Sequence, residues 1–437
     1  MTLCDMHGEA LSTTRAASAD AYDRALALFN GFRLDPMAVL EQVLAEDPGF
    51  VSGRLMHAGL ILGTYDGLLL GMARESLAAA EACAAHANAR EHSLLAAFRP
   101  WAEGDLRRGQ ALLERHVIDH PRDLFALQLS HLGDLVLGQS EMLRDRIGRA
   151  LVHWSAADAG YGYVLGMHAF GLEECNEYAR AEAAGRRAVE LHPGDAWAVH
   201  AVAHVCEMQG RVADGLAWLS ATQPDWAEDN GLAVHNHWHM ALMHLARGDE
   251  AGALALYDAT VTPGAESLAI DLIDASALLW RLQLRDVDVG SRWVHLAALW
   301  RAHAAWGVLA FNDLHAVIAM AGSGDDDGAA EGVAVVAAAA RANDAPGWRL
   351  VALPACEAVQ AFAAGRYVQC AQKLLPVLAY SHLLGGSHAQ RDLLRLTAIE
   401  AARRAGDHAL VRALSEQRAI QKAGLPQAAR RAQHVRA

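Results

Sequence analysis

Hydrophobic and small residues recur along this chain at intervals of three and four, which is the spacing that buries one face of an α-helix. Between positions 196 and 208, for example, Val199, Val202, Ala203 and Cys206 have this spacing. No stretch shows the period-two alternation that is typical of a half-buried β-strand. The pattern therefore predicts an all-α protein without a β-sheet.

Turn-forming residues divide these helices at regular intervals of 33 to 38 positions. A helix-turn-helix unit of about 34 residues is the tetratricopeptide period. Pro121 and Pro193 follow two of the turns by seventeen places, where a second helix should end. We therefore expect a tetratricopeptide-like α-solenoid, a right-handed superhelix of helix pairs that curls around a central groove or pocket. The turn residues are Gly71, Gly104, Gly138, Asn176, Gly210 and Gly248.

One break in composition suggests how the chain is divided. The segment GSGDDDG, residues 322–328, combines glycine with three adjacent acids and is expected to be a loop. Residues 20–321 would form the repeat block, preceded by an N-terminal segment, 1–19, that could be flexible. Residues 329–437 would form further helical repeats, which should dock on the block because their apolar faces need cover.

Composition narrows the class of protein and of partner. The 437 residues are 53% hydrophobic, include 11 prolines and carry a formal net charge of -14. An acidic chain rich in helix formers does not favour nucleic acid as a partner, because phosphate binding needs a basic face. We also expect no membrane partner, since no apolar run is long enough to span a bilayer. Six scattered cysteines and the absence of a secretory signal predict a cytoplasmic protein with reduced, mostly buried thiols.

Five histidines lie on two consecutive predicted helices. His200 and His204 are four residues apart, as are His235 and His239, so each pair shares one helix face. His200 and His239 take equivalent positions on the first helices of their repeats, and such helices line the concave surface of a superhelix. His200, His204 and His239 should therefore converge with Arg281, and with Arg391 as a further candidate, on one enclosed pocket, whereas His235 lies one turn back on its helix.

Three interpretations of the histidines stay open. His200, His204, His235 and His239 could bind a divalent metal ion, since imidazoles four apart on neighbouring helices suit a tetrahedral site. His200, His204 and His239 could instead perform acid-base catalysis beside a carboxylate. The third interpretation is structural, with the histidines hydrogen-bonded to each other, to Asn236, and to backbone or water, so that they fix the register of the helices. No HExxH motif is present, so the familiar metalloprotease arrangement is absent.

The segment DLIDASALLWRL also carries polar residues at helical spacing. Asp274 and Arg281 are seven apart and share a face, with Ser276 and Trp280 nearby. They could bind a charged ligand, although a salt-bridged helix is the commoner use of such a pattern.

Two shorter motifs give weaker evidence of a binding site. In LGGSHAQRDLL, Ser387 follows two glycines at a predicted helix start, which can hold an anion but more often only caps the helix. In FNDLHA, Asn312 and Asp313 could cap a helix, leaving His315 exposed.

Four motifs in this order, WAVHAVAHVCEMQGR, HNHWHMALMHL, DASALLWRL and GGSHAQRD, resemble the tetratricopeptide repeat protein 38 family of bacteria and animals. The resemblance runs from about Leu34 to about Ile420. It implies an all-helical, cytoplasmic repeat protein in a family whose biochemical activity is poorly defined. His237 departs from the pattern, since an aromatic residue is expected there. The matching residues are His200, His204, His235, Asn236, Trp238, His239, Asp274, Ser276, Trp280, Arg281, Ser387, Gln390, Arg391 and Asp392.

The combined expectation is a binding protein with an enclosed, polar, histidine-rich pocket for a small molecule or a chain end, over which the GGSHAQRD turn closes. An enzyme that uses the same pocket is the alternative, either hydrolase-like and metal-dependent or based on histidine and carboxylate chemistry. A protein-protein scaffold is the second alternative. The candidate ligand-binding residues are His200, His204, His235, Trp238, His239, Asp274, Ser276, Trp280, Arg281, Ser387 and Arg391.

Overall fold

A computed structural model describes residues 3–303, 306–342 and 345–422. About three quarters of the chain is helical, and the described part contains 22 α-helices. Helices that follow one another along the chain pack against each other as neighbours. The chain is therefore an all-α solenoid, as the spacing of its hydrophobic residues predicts.

The chain forms two compact units, and the first comprises Met1–Val202 and Ala221–Ala233. Its boundaries fall within α11 and α12. Ten helices lie wholly in it, namely α1 (Ala16–Asn30), α2 (Pro36–Glu46), α3 (Val51–Leu62), α4 (Leu70–Ala82), α5 (Ala89–Ala102), α6 (Leu106–Asp119), α7 (Leu124–Val136), α8 (Ser140–Leu151), α9 (Tyr161–Glu174) and α10 (Tyr178–Leu191), followed by α11 (Ala196–Met208) and α12 (Val212–Trp226). Short 3-10 turns occupy Gly67–Leu69 and Ala84–His86.

The second unit comprises Ala203–Ser220 and Val234–Ala437, of which the structure describes residues up to 422. Short π-helical turns precede α15 and α19, at Tyr257–Val261 and Trp348–Ala352, and a 3-10 turn occupies Ser381–Leu384. The helices are α13 (Ala233–Arg247), α14 (Glu250–Leu256), α15 (Ala269–Gln283), α16 (Arg292–Ala302), α17 (Ala310–Ser323), α18 (Asp326–Ala342), α19 (Leu353–Ala363), α20 (Tyr367–Val377), α21 (His388–Arg404) and α22 (His408–Gln421).

Five of the six predicted turn residues end a helix. Each has a positive φ, between 63° and 96°, which a glycine or an asparagine adopts at low cost. Gly71 is the exception and corrects the prediction, because it lies inside α4. There the chain turns earlier, through Tyr65 at φ 53°. The five are Gly104, Gly138, Asn176, Gly210 and Gly248.

Aspartates and prolines set several helix ends. The side chains of Asp105, Asp123, Asp249 and Asp407 accept hydrogen bonds from backbone N–H groups at the starts of α6, α7, α14 and α22. Such caps satisfy donors that have no partner within the helix. Helices α6 and α10 end just before Pro121 and Pro193, as the repeat spacing predicts.

The N-terminal segment differs from the prediction in two respects. Leu3–Cys4 and Ala10–Leu11 form a two-residue antiparallel ladder, so the expectation of no sheet is wrong at this point. The residues around the ladder are packed, since Asp5 and His7 are both buried. A ladder of two residues per strand is formed by a local turn. It is too short to produce a repeating pattern of hydrophobic residues in the sequence.

The acidic segment 322–328 is a tight turn and not a loop between two blocks. Helix α17 continues to Ser323 and α18 begins at Asp326, so only two residues connect them. Gly324 turns the chain at φ 77°, and the acids enter the first turn of α18, where the helix dipole favours negative charge. The division between the compact units falls elsewhere, within α11 and α12 and at the start of α13.

Helices α18 to α22 belong to the same compact unit as α14 to α17. Two tryptophans connect α15 to its neighbours, because Trp280 Nε1 donates to Thr397 of α21 at 2.9 Å and Trp300 Nε1 of α16 donates to Ser276 at 2.9 Å. In α20, Leu374 and Val377 are fully buried, as the expected docking requires, whereas Leu375 is 39% exposed.

Across residues 3–303, 306–342 and 345–422, no helix combines the length and the apolar character needed to cross a membrane.

The six cysteines are free thiols, of which Cys206, Cys356 and Cys370 are buried. Half of the thiols are thus buried, fewer than the expectation of mostly buried cysteines.

The close contact of α8 and α9 gives a first prediction. A Cβ at Gly171 would lie 2.4 Å from the carbonyl group of Leu143, which is backbone and cannot rotate away. Gly171→Ala should therefore lower the free energy of unfolding by about 1 to 3 kcal/mol. Gly71→Ala is the matched control, because a Cβ there meets no atom within 4 Å. Chemical denaturation measures both, and equal stability of the two variants would contradict the close contact.

Candidate functional site

Three of the predicted histidines lie together in the second unit. His204 is on α11, and His235 and His239 are on α13; all three are buried. The ring centroids of His204 and His239 are 4.4 Å apart, and those of His235 and His239 are 4.9 Å apart. One ligand nitrogen from each ring lies within 4.8 Å of the others. These residues are called the histidine cluster below.

Two carboxylates orient the cluster. Asp274 Oδ2 lies 2.7 Å from Nδ1 of His235, and Glu207 Oε2 lies 3.1 Å from Nδ1 of His239. A neutral imidazole that donates its Nδ1–H to a carboxylate directs the lone pair of Nε2 to the opposite side of the ring. The arrangement is the one that carboxylates provide behind metal-binding histidines.

Burial and neighbouring charges set the ionisation of the cluster. Burial, reinforced by His204, lowers the pKa of His239 to about 3, so the ring is neutral at neutral pH. Burial alone would raise the pKa of Glu207, but the charge of Lys422 and the hydrogen bond with His239 hold it well below its usual range. The pair is therefore a neutral imidazole beside an ionised carboxylate.

Trp238 packs between the histidines and a buried arginine. Its ring stacks on His235 at 5.2 Å, meets His239 edge-on at 4.9 Å, and carries the Arg281 guanidinium at 5.3 Å from its centroid. The contact with Arg281 is a cation–π interaction, which is stronger where water is excluded. Trp238 thus fixes the positions of groups on two helices.

Polar atoms beside the cluster have no hydrogen-bond partner within the described residues. They are both amide atoms of Asn236, the indole nitrogen of Trp238 and Oδ1 of Asp274. Buried polar groups are hydrogen-bonded in the great majority of cases. The hydrogen bonds to Asn236, one part of the structural interpretation, are therefore absent from the described residues, and the rest of that interpretation stays open.

A chain of buried charges continues from Glu207. Its Oε1 accepts from Lys422 Nζ at 2.7 Å, and Lys422 lies 3.6 Å from Asp392. Asp392 in turn accepts hydrogen bonds from Nε and Nη2 of Arg418, the shortest at 2.6 Å. Glu207 thereby contacts the histidine cluster with one oxygen and this charge chain with the other.

Arg281 is 3% exposed and is bound differently from Arg418. Its guanidinium donates to the carbonyl oxygens of Ala277 and Ala389, at 3.0 and 2.7 Å. No carboxylate forms an ion pair with it in the part of the chain that the structure describes. Burial accordingly lowers its pKa to about 10, a value at which it keeps its charge. Asp274 pairs with His235, so the salt bridge between Asp274 and Arg281 considered from the sequence does not form.

A cavity of about 40 Å³ lies beside these charges. Its lining contains no histidine, so it is not the histidine-rich pocket that the sequence suggests, and that pocket stays a prediction. Helices α13, α15, α21 and α22 contribute most of its lining, which consists of Glu207, Val212, Leu242, Met243, Leu245, Ala246, Arg281, Arg285, Ala389, Asp392, Leu396, Arg418 and Lys422.

His200 belongs to the first unit, one turn before His204 on α11. Its ring packs on Trp197 at 4.9 Å and on Phe170 at 5.3 Å, and all three side chains are buried. The convergence of His200 with the other histidines stays a prediction.

Four other candidates make contacts that stabilise helices. Ser276 donates to Leu272 O at 2.7 Å, and Trp280 binds Thr397. Ser387 caps α21 in a reciprocal pair with Gln390, the commoner of its two expected uses. Arg391 donates to the carbonyl of Gly386 and contacts His388 at 3.3 Å, near the start of the same helix.

Several residues of the site were missed from the sequence. Arg418 and Lys422 lie 26 and 30 positions beyond Asp392, without any motif. Lysine occurs only twice in the chain, at 373 and 422, among many arginines, which marks Lys422 as unusual. Its rarity does not identify its partner, because Glu207 is 215 positions away in the sequence.

Asp313 and His315 of the FNDLHA motif are buried, which corrects the expectation of an exposed histidine. His315 Nδ1–H donates to the carbonyl oxygen of Phe311, 2.8 Å away, and burial lowers the pKa of His315 to about 4. Asp313 accepts from the backbone of Gly307 at 2.9 Å, and burial raises its pKa to about 7. The helical spacing of the hydrophobic residues predicted that His315 lies outside the core. It is buried because α17 packs against neighbours on more than one side.

Comparison with known protein families adds no assignment, since no family model matches the chain.

The two lysines give a prediction about the charge chain. Lys422→Met should lower the free energy of unfolding by about 3 to 5 kcal/mol, because it removes the cation that forms an ion pair with the buried Glu207. Lys373→Met is the control, since its ion pair with Glu357 is partly exposed and worth about 0 to 1 kcal/mol. Urea denaturation measures both values. Similar losses in the two variants would show that Lys422 is not buried in an ion pair.

Asp313 gives a prediction about pH. Its folded-state pKa is raised from 3.8 to about 7, so the stability supplied by the neutral carboxyl is complete below pH 4 and is lost as pH rises through 7. Asp313→Asn should therefore gain stability relative to the unmodified chain between pH 4 and pH 8. Denaturation at a series of pH values tests this, with Asp20→Asn, at an exposed position on α1, as the control. Parallel pH curves for the two variants would contradict it.

Proposed function

We propose that this chain is a tetratricopeptide-like repeat protein whose histidine cluster binds a divalent transition metal ion. The metal would be the point at which a small molecule or a chain end is bound. The observation that carries the proposal is the set of three ligand nitrogens, from His204, His235 and His239, within 4.8 Å of one another. The relationship to the tetratricopeptide repeat protein 38 family is part of the same proposal and depends on the four sequence motifs alone.

The donor set suits a metal of the zinc class. Zinc binds imidazole nitrogens at about 2.0 to 2.1 Å, and three protein ligands leave a fourth position for water or a ligand. Metal binding needs neutral imidazoles, and burial provides that state for His239. Imidazole nitrogens also suit copper, nickel and iron, so the donor set selects a class of metal and not one element.

The carboxylates behind the rings support the same proposal. Asp274 and Glu207 hold Nδ1 of His235 and of His239, which leaves Nε2 as the ligand atom of each ring. Hydrogen bonding of this kind fixes the tautomer and increases the basicity of the ligand. A metal would also bring a coordinated water, which Asn236 and Trp238 could bind through atoms that have no partner in the described residues.

Catalysis without a metal is less favoured. A general base works best when its pKa lies near the working pH, and the pKa of His239 lies near 3. A protein-protein scaffold is also less favoured as the role of the cluster, because His204 and His239 are buried and have no surface to offer a protein partner.

Metal-assisted hydrolysis is the second candidate function. It is favoured by the number of histidines, since three protein ligands and an open position are the arrangement of catalytic zinc sites. A metal in such a site lowers the pKa of its bound water to about 7 and so supplies a nucleophile.

Metal binding can be measured directly. Metal-free protein titrated with Co²⁺ should develop the visible absorption of a low-coordinate cobalt site at one equivalent, and zinc should displace it. His204→Gln and His239→Gln should abolish the signal, and Asp274→Asn should weaken binding by about 10- to 100-fold. His237→Gln is the matched control, because it removes a buried imidazole of α13 that is outside the cluster.

The unmodified chain alone decides the outcome if the variants fold poorly. The absence of stoichiometric Co²⁺ or Zn²⁺ binding to folded protein would overturn the proposal. Equal loss of binding in His237→Gln and in His239→Gln would show that binding does not depend on the cluster.

A further inference from the structure

The two carboxylates behind the histidine cluster have different surroundings. Asp274 Oδ2 lies 2.7 Å from Nδ1 of His235, and its other oxygen, Oδ1, has no hydrogen-bond partner within the described residues. Glu207 Oε2 lies 3.1 Å from Nδ1 of His239, and its Oε1 accepts from Lys422 Nζ at 2.7 Å. Of these two histidine–carboxylate pairs, the one on His239 is thus the pair whose carboxylate also binds a lysine.

The charge of Lys422 acts on Glu207 with little screening. Lys422 directly follows α22 and is 5% exposed. Its second acidic neighbour is Asp392, at 3.6 Å, which itself accepts hydrogen bonds from Arg418. Salt and water screen exposed charges strongly and buried pairs much less. Glu207 therefore experiences nearly the full field of the lysine.

Lys422 and a metal ion on His239 make opposite demands on Glu207. A cation beside the carboxylate already stabilises its negative charge, which weakens the carboxylate as an acceptor for Nδ1–H of His239. A carboxylate at this place increases the basicity of a metal-binding imidazole, so a weaker acceptor means a weaker ligand. A metal ion on Nε2 makes Nδ1–H a stronger donor and so draws the charge of Glu207 away from the lysine.

We propose that Lys422 lowers the affinity of the histidine cluster for metal, and that a bound metal ion in return weakens the ion pair of Lys422 with Glu207. This role of Lys422 rests on the metal site proposed above. The two effects are equal in size, because coupling between two binding equilibria is reciprocal. Lys422 is thus a positioning residue, which acts on the metal through Glu207 and His239. The end of α22 is accordingly held most firmly when the cluster is free of metal.

The test is titration of metal-free protein with Co²⁺ at one fixed pH, with a chelator as competitor. Lys422→Met should bind Co²⁺ at least about fivefold more tightly than the unmodified chain, since couplings of this kind are typically about 5- to 150-fold. Its visible spectrum should be unchanged, because the same imidazoles bind the ion. Lys422→Arg keeps the charge and should restore the affinity of the unmodified chain. A purely structural lysine predicts the reverse, namely a less stable variant with equal or weaker metal binding.

Arg418→Met is the matched control. Arg418 is a second cation of the same charge chain, with a side chain that is 16% exposed, but its hydrogen bonds go to Asp392 and not to Glu207. Its removal leaves the contact between Lys422 and Glu207 in place. The affinity for Co²⁺ should therefore change by a smaller factor than in Lys422→Met.

Hydrogen exchange on the unmodified chain provides a second measurement that needs no variant. The amide of Lys422 donates to the carbonyl oxygen of Arg418 at 2.9 Å, in the last turn of α22. Saturation with Zn²⁺ should accelerate amide exchange in this turn, because a weaker ion pair lets the end of the helix open more often. Exchange in α13, which carries two of the ligands, should become slower and so report that zinc is bound.

The outcomes distinguish the role of Lys422 from the metal site itself. Tighter Co²⁺ binding in Lys422→Met, reversed in Lys422→Arg, supports the role. Failure of the unmodified chain to bind Co²⁺ overturns both proposals. If the unmodified chain binds Co²⁺, equal or weaker binding in Lys422→Met overturns the role of Lys422 alone, as does equal tightening in Arg418→Met. If Lys422→Met does not fold, zinc that protects α13 without accelerating exchange at the end of α22 overturns it instead.

Discussion

Pairing of the buried carboxylate Glu207 is the interaction on which the second unit depends. Removing a carboxylate from water costs several kcal/mol, and Glu207 recovers that cost through Lys422 Nζ on one oxygen and His239 Nδ1 on the other. The two contacts connect α11 to α13 and to the residue that follows α22. The orientation of His239 and the place of Lys422 in the cavity wall both follow from this one side chain.

Buried charges in the first unit show what a purely structural arrangement looks like. Arg90 meets Asp123 at 2.5 Å, and Arg146 donates two hydrogen bonds of 2.9 Å to Asp134. Each of these buried arginines has a buried carboxylate as its partner. Arg281 in the second unit has carbonyl oxygens and a tryptophan ring in place of a carboxylate. The two units of this chain thus stabilise buried arginines in two different ways.

Glu207 joins the histidine cluster to the charge chain, because one of its oxygens lies 3.1 Å from His239 Nδ1 and the other accepts from Lys422 Nζ at 2.7 Å. A change in the charge of either partner would therefore change the electrostatic field at the other. Neighbouring helices of a repeat fold each contribute one or two inward side chains, which is how residues so far apart in the sequence come together here.

Local geometry explains what the sequence by itself determined. Helical spacing predicted the all-α fold, five of the six turns, and the pairing of His235 with His239 on one face, since each depends on residues within a few positions of one another. The prediction of a turn at Gly71 was wrong, because a glycine can also lie within a helix. The tertiary structure alone decided that Glu207 meets Lys422, 215 positions away, and that Asp274 binds His235 instead of Arg281. Those contacts depend on how far each helix is rotated and shifted against its neighbour, which the packing of the whole unit sets and no short stretch of sequence encodes.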